Sequence, residues 1–161
     1  MKSKKLSWMP AVALVLACGG AAAAEPTGDY ATDLATVYGG YQRMLAMKDA
    51  CDTAMPPTRP ANDKAFSAWY KQHRALILDL QRRVTAMIRA ASTDEKDYTR
   101  NLGKYEGAIL QEREEYRESL LKLDAEELRG QCQRMAEVLK GPEANLSKVY
   151  EVELEAIRKR K

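Results

Sequence analysis

Scarcity narrows the chemistry open to this chain. Among its 161 residues there are one histidine, one phenylalanine and three cysteines. A di-iron carboxylate bundle needs two Glu-x-x-His motifs, and zinc sites with three or four His/Cys ligands fail on the same count. Covalent haem attachment requires CxxCH, which is missing. No GxSxG elbow is present, and a Ser-His-Asp set would need a serine positioned beside the only histidine. Paired acids such as Glu112 and Glu115 lie in "QEREEYRE", which reads as a solvated helix face rather than two carboxylates across a cleft. No catalytic residue, metal or cofactor is therefore assigned, and the chain is read as a non-enzyme. Strand-like alternation, internal repeats and a second hydrophobic span are absent as well, and the N-terminal segment has no twin arginines.

What is present begins with a leader. Met1 to Lys5 carries three lysines, and Leu6 to Ala17 is almost wholly apolar. That run is shorter than the about 20 residues a membrane helix needs, and its layout is that of a secretory signal peptide. Two cleavage sites compete within "LVLACGGAAAAEP". Ala22-Ala23-Ala24 forms an A-x-A site that would release a soluble protein beginning at Glu25. Val15-Leu16-Ala17-Cys18 is a lipobox that would leave Cys18 acylated, although Leu at its −2 position is unusual. The Ala24 cut is preferred, giving a signal peptide over 1–24 and one domain over 25–161. The expected location is the bacterial periplasm, with an outer-membrane lipoprotein as the alternative.

Either cut removes three lysines and no acid. The 26 basic side chains less 3 then balance the 23 acidic ones, so the apparent basicity belongs to the leader. Nucleic-acid binding and adhesion to anionic membranes draw on a basic surplus, and none survives. Membrane association is expected only through an acylated Cys18. The terminal "IRKRK" complements a helix C-terminus without implying a partner.

Cys51 and Cys132 remain after the Ala24 cut. An even, well-separated pair in an oxidising compartment reads as a disulfide. Closing such a loop stabilises a fold by roughly 4 kcal/mol in the chain-entropy account.

The rest reads as helices. Pro56, Pro57 and Pro60, the box Ser92-Thr93-Asp94-Glu95, Asp124 to Glu127, and Gly141-Pro142 mark the breaks. They predict helical segments over 29–55, 63–91, 94–122, 125–140 and 143–160. Apolar residues step by 4 and 3 within them, as in Phe66, Tyr70, His73, Ile77, Leu80, Val84 and Met87. The fold class expected is all-α: an antiparallel up-down-up-down helical bundle of four to five helices. At about 1.5 Å per residue, Cys51 and Cys132 lie about 6 and about 10 Å from the same end, close enough in level to bridge. The fifth segment either continues the fourth past a kink or folds back as a cap. Gly39-Gly40 costs the first helix about 1 kcal/mol per glycine, which a bend or a close helix approach would offset.

Three polar residues fall on the seams: Lys48, His73 and Glu112. If the second and third helices form a hairpin, His73 faces Glu112, with Lys48 near. The plain reading is a polar layer that fixes helix pairing. The functional reading is a ligand site centred on His73, including haem held by His73 and Met44. Trp69, Tyr70 and Tyr116 are candidate interface residues, since tyrosine and tryptophan anchor binding surfaces.

Three functional classes follow. The preferred one is an exported, non-catalytic envelope protein that binds a protein partner, of inhibitor, immunity or adaptor type. The others are a lipid-anchored, cell-wall-associated lipoprotein and a small-ligand or haem-binding four-helix bundle.

Overall fold

The computed structural model describes residues 28–160. Cys18 and the cleavage site after Ala24 lie outside the described residues. Six helices are formed: α1 Tyr30–Ala54, α2 Arg59–Ala90, α3 Glu95–Leu121, α4 Ala125–Val138, α5 Leu146–Val149 and α6 Glu151–Lys159. Short 3-10 turns at Pro56–Thr58 and Pro142–Ala144 join them, and no strand occurs among the described residues. The all-α expectation holds, as a helical bundle.

Local chemistry explains the boundaries. Asp29 caps α1 by accepting from the Thr32 amide at 3.0 Å, and Asp124 caps α4 through the Glu126 amide at 2.8 Å. The turn before α3 differs from expectation. Asp94, not Ser92, is the N-cap, accepting from the Asp97 amide at 2.8 Å, while Asp97 accepts from the Thr93 amide at 3.0 Å. Ser92 turns back instead, donating to the Ile88 carbonyl at 2.7 Å and so finishing α2. A serine and an aspartate two residues apart offer the same type of cap, and the shorter loop won. α2 also starts earlier than expected, at Arg59, because Pro60 fits the first turn of a helix where no amide is needed.

Contacts between helices follow a consistent order. Lys48 of α1 meets Asp63 of α2, Tyr41 meets Tyr70, and Tyr38 meets Gln81, so positions fall along α1 as they rise along α2. Along α3 they rise together: Tyr38 lies beside Tyr105, and Asp49 pairs with Arg113. The last run of chain, α4 to α6, descends α1 through Cys51 with Cys132, Gly40 with Tyr150, and Gly28 with Arg160. It keeps step with α2, through Asn62 at Cys132, Trp69 at Ala144 and Arg83 at Ile157. Residues 143–160 thus carry on along the line of α4 past the Gly141-Pro142 break rather than folding back.

α1 is the hub, touching α2, α3, α4 and α6. Its buried residues accordingly lie on several sides and include Leu34, Val37, Gly40, Ala46 and Cys51. The core has two halves. One gathers Cys51, Trp69, Ile77, Cys132 and Met135; the other gathers Leu34, Val37, Leu80, Val84, Leu154 and Ile157. Leu76 and Tyr150 pack against both. Cys51 and Cys132 form the expected bridge, with Cα atoms 5.2 Å apart and 81 positions between them in sequence.

The glycine pair in α1 divides by role. A Cβ on Gly40 would stand 2.5 Å from the Tyr150 ring, whereas one on Gly39 would meet nothing within 4 Å. The close approach expected from the sequence is therefore made at Gly40 alone. Gly39→Ala is expected to stabilise the fold by about 0.5–1 kcal/mol through helix propensity. Gly40→Ala should lower stability by about 1–3 kcal/mol, because the ring must leave its place between the two halves of the core. Urea unfolding of the two variants checks this, and equal effects would refute it.

Candidate functional site

The three polar seam residues are not brought together. His73 is 4% exposed and packs its ring 5.0 Å from that of Trp69. Lys48 bonds to Asp52 and Asp63, each at 2.6 Å. Glu112 is exposed on α3. Two physical reasons account for the difference. First, α3 lies mainly along α1 rather than α2, so the position opposite His73 on a hairpin is not where α3 runs. Second, the inward face of α3 passes from Ile109 to Arg113, Arg117 and Leu120. A straight helix turns every 3.6 residues, so a strict 4-3 alternation drifts off the seam within two heptads.

Lys48 belongs to a clamp of ions beside the disulfide. Burial alone would lower its pKa, but the bonds to Asp52 and Asp63 outweigh that and raise it. Arg59 donates to the Asp52 carbonyl at 3.0 Å, while one Asp52 oxygen stays buried without a partner. The geometry ties the end of α1 to the start of α2.

Of the candidate interface residues, Trp69 is interior. It is 2% exposed, and its indole N–H donates to the Ala144 carbonyl at 2.7 Å. Phe66 and Tyr41 stand against it with ring centroids 5.5 and 6.4 Å away. Tyr70 is half-buried with its ring 6.2 Å from that of Tyr41. Tyr116 alone is open, at 37% exposure. It borders a shallow cleft with Thr36, Gly39 and Arg43 of α1.

Two features on α3 were not singled out from the sequence. Gly103 and Gly107, four apart in "GKYEG", are both exposed, and a Cβ on either would meet nothing within 4 Å. Leu110 follows one turn later on the same face and is 59% exposed. On the adjoining face a cleft of about 400 Å³ opens between α1, α2 and α3. Tyr38, Tyr41 and Gln42 line it from α1, Val84 from α2, and Leu102, Tyr105 and Ile109 from α3. The Tyr105 hydroxyl is buried without a hydrogen-bond partner. Desolvation, with the nearby Tyr38 and Glu112 adding to it, pushes its pKa up to about 12, so the phenol stays protonated. The i, i+4 glycine spacing is legible in the sequence; the orphaned hydroxyl is not, because it depends on how α3 is seated.

Among the described residues no group of three or more His, Cys, Asp or Glu side chains is placed to hold a metal ion. No helix among them is long and apolar enough to cross a membrane. No family model, curated protein or solved structure matches this chain.

Burial lowers the His73 pKa below its ordinary 6.5. The unfolded chain therefore takes up this proton at a higher pH than the folded one. Stability is full above about pH 6.5 and falls as pH drops through the folded pKa. Between pH 7 and 5 the unfolding free energy should decline, by no more than about 1.4 kcal/mol per pH unit for one proton. His73→Phe should flatten that decline, since the chain has no other histidine. Parallel slopes for both proteins in thermal unfolding would contradict it.

Proposed function

We propose that this chain is an exported, non-catalytic envelope protein that acts by binding a helical segment of a protein partner on the outer face of α3. The reading takes the domain as an up-down-up-down bundle, released by cleavage after Ala24 into the periplasm. What supports the arrangement is the order of helix contacts: partners fall along α1 as they rise along α2, and again along α4 to α6.

The binding reading is carried by Gly103 and Gly107. A glycine inside an exposed helix costs about 1 kcal/mol against alanine. At Gly40 the cost is offset by the Tyr150 ring, but at Gly103 and Gly107 nothing among the described residues occupies the space a Cβ would take. Two such positions one turn apart make a shallow trough in which a second helix can bring its backbone close. Leu110, the most exposed large apolar side chain among the described residues, continues the trough. Its burial by a partner would add about 1.5–3 kcal/mol. Mature charge balance is consistent with recognition by shape rather than by a charged field.

The sequence around Cys18 keeps a second reading, that of a lipid-anchored protein presenting the same face. The intact mass of the exported product separates the two: a chain beginning at Glu25 removes the anchor.

The joint change Gly103→Ala and Gly107→Ala should raise folding stability by about 1–2 kcal/mol while abolishing capture of the partner in an envelope crosslinking experiment. Leu110→Asp should leave folding unchanged and weaken the same capture at least tenfold. Recovery of only bulk lipoproteins and porins with the unaltered protein, or undiminished capture by both variants, would defeat the proposal.

A further inference from the structure

The cleft between α1, α2 and α3 has the size and lining of a small-molecule site. Its volume of about 400 Å³ falls in the range of about 300–1,000 Å³ that such sites occupy. Tyr38 and Tyr41 form one wall, their rings tilted at 47° with centroids 5.9 Å apart. Val84, Leu102 and Ile109 add aliphatic surface. Gln42, Gln81 and Thr85 add polar edges. Tyr105 belongs to the lining too, and its hydroxyl is sealed beneath the cleft surface without a partner. A buried polar group left unmet is costly, and in native structures such a group calls for a specific explanation.

Tyr38 lies beside Tyr105 and is lightly held. Gln81 donates to the Tyr38 hydroxyl at 3.4 Å, near the outer limit of a hydrogen bond, so that contact gives way at little cost. Arg113 lies at one end of the cleft but is already matched by Asp49, and Glu106 is solvated on the exposed side of α3. No unmatched buried charge faces the lining, which favours an uncharged occupant.

We infer that this cleft binds a small, uncharged, largely apolar molecule carrying a hydrogen-bond acceptor such as a carbonyl, which takes the Tyr105 hydroxyl as its donor. Binding displaces the Gln81–Tyr38 contact, buries the apolar body of the ligand against the two tyrosine rings, and pairs the hydroxyl. The site does not depend on the partner-binding reading, because Gly103 and Gly107 are not among the residues that line it; Leu110 borders both.

Calorimetric titration with 2-acetylnaphthalene and 2-ethylnaphthalene tests this, since the pair share shape and differ in the acceptor. The unaltered protein should bind the ketone about three- to tenfold more tightly than the hydrocarbon. Tyr105→Phe should erase that preference, leave hydrocarbon affinity unchanged, and melt at the same or a higher temperature. Thr85→Trp, at an exposed lining position, should block both compounds without disturbing the core. Joint alanine replacement of Gly103 and Gly107 should leave both affinities intact, which separates this site from the partner face. Failure of either compound to bind, binding unaffected by Thr85→Trp, or a ketone preference that survives Tyr105→Phe would overturn the inference.

Discussion

The bridge between Cys51 and Cys132 sets the level at which the last third of the chain meets the first helix, and the remaining packing depends on that level. From the bridge, α4 to α6 run along α1 with Tyr150 seated on the bare backbone of Gly40. Leu154 and Ile157 then join Leu34 and Val37 in the second half of the core. A slip of one helical turn would place the ring over a residue bearing a Cβ and take Leu154 and Ile157 off their partners. The covalent tie and the glycine notch thus specify one register between them. With 81 positions separating the cysteines, the bridge also removes much of the unfolded chain's freedom, worth roughly 4 kcal/mol in the entropic account.

This arrangement encloses α1 and leaves α3 on the outside. The last run of chain occupies one flank of α1 and α2 another, so α3 meets the rest mainly along α1. Only Ile109 and Leu120 of its 27 residues are buried. An element held along one narrow line contributes less to the core and has more surface to offer. The clamp of Lys48, Asp52, Asp63 and Arg59 ties the end of α1 to the start of α2.

Much of this was legible in the sequence, and the failures are instructive. Helix positions followed from 4-3 spacing and from Pro, Gly and Asp at the breaks, and the two cysteines came to one level by counting residues. The glycine pair announced a close approach, although not which glycine makes it. The polar layer of Lys48, His73 and Glu112 did not form because helix order in sequence does not dictate which helices are neighbours. α3 follows α2, yet it packs on α1. Trp69 looked like a surface anchor from its place beside the α2 stripe. It became the centre of an aromatic group because the Ala144 carbonyl, freed by the 3-10 turn at Pro142–Ala144, accepts its N–H. That acceptor is 75 positions away, and no local pattern could reveal it. The Tyr105 hydroxyl was hidden for the same reason.

α3 bears two costs of a kind the fold meets in some places and leaves open in others. Trp69 has a carbonyl and the bare face of Gly40 has a ring, whereas Asp52 and Glu153 each keep a buried oxygen without a partner and Gly39 stands open. On α3, two glycines weaken the helix without internal compensation, and one phenol is desolvated without a bond. These are the local contradictions that consistent sequences otherwise lack, and they concentrate where a protein gives up stability for recognition. Both become favourable when something from outside arrives, a backbone over the glycines or an acceptor at the phenol. They lie on adjoining faces of one helix that buries few of its own residues.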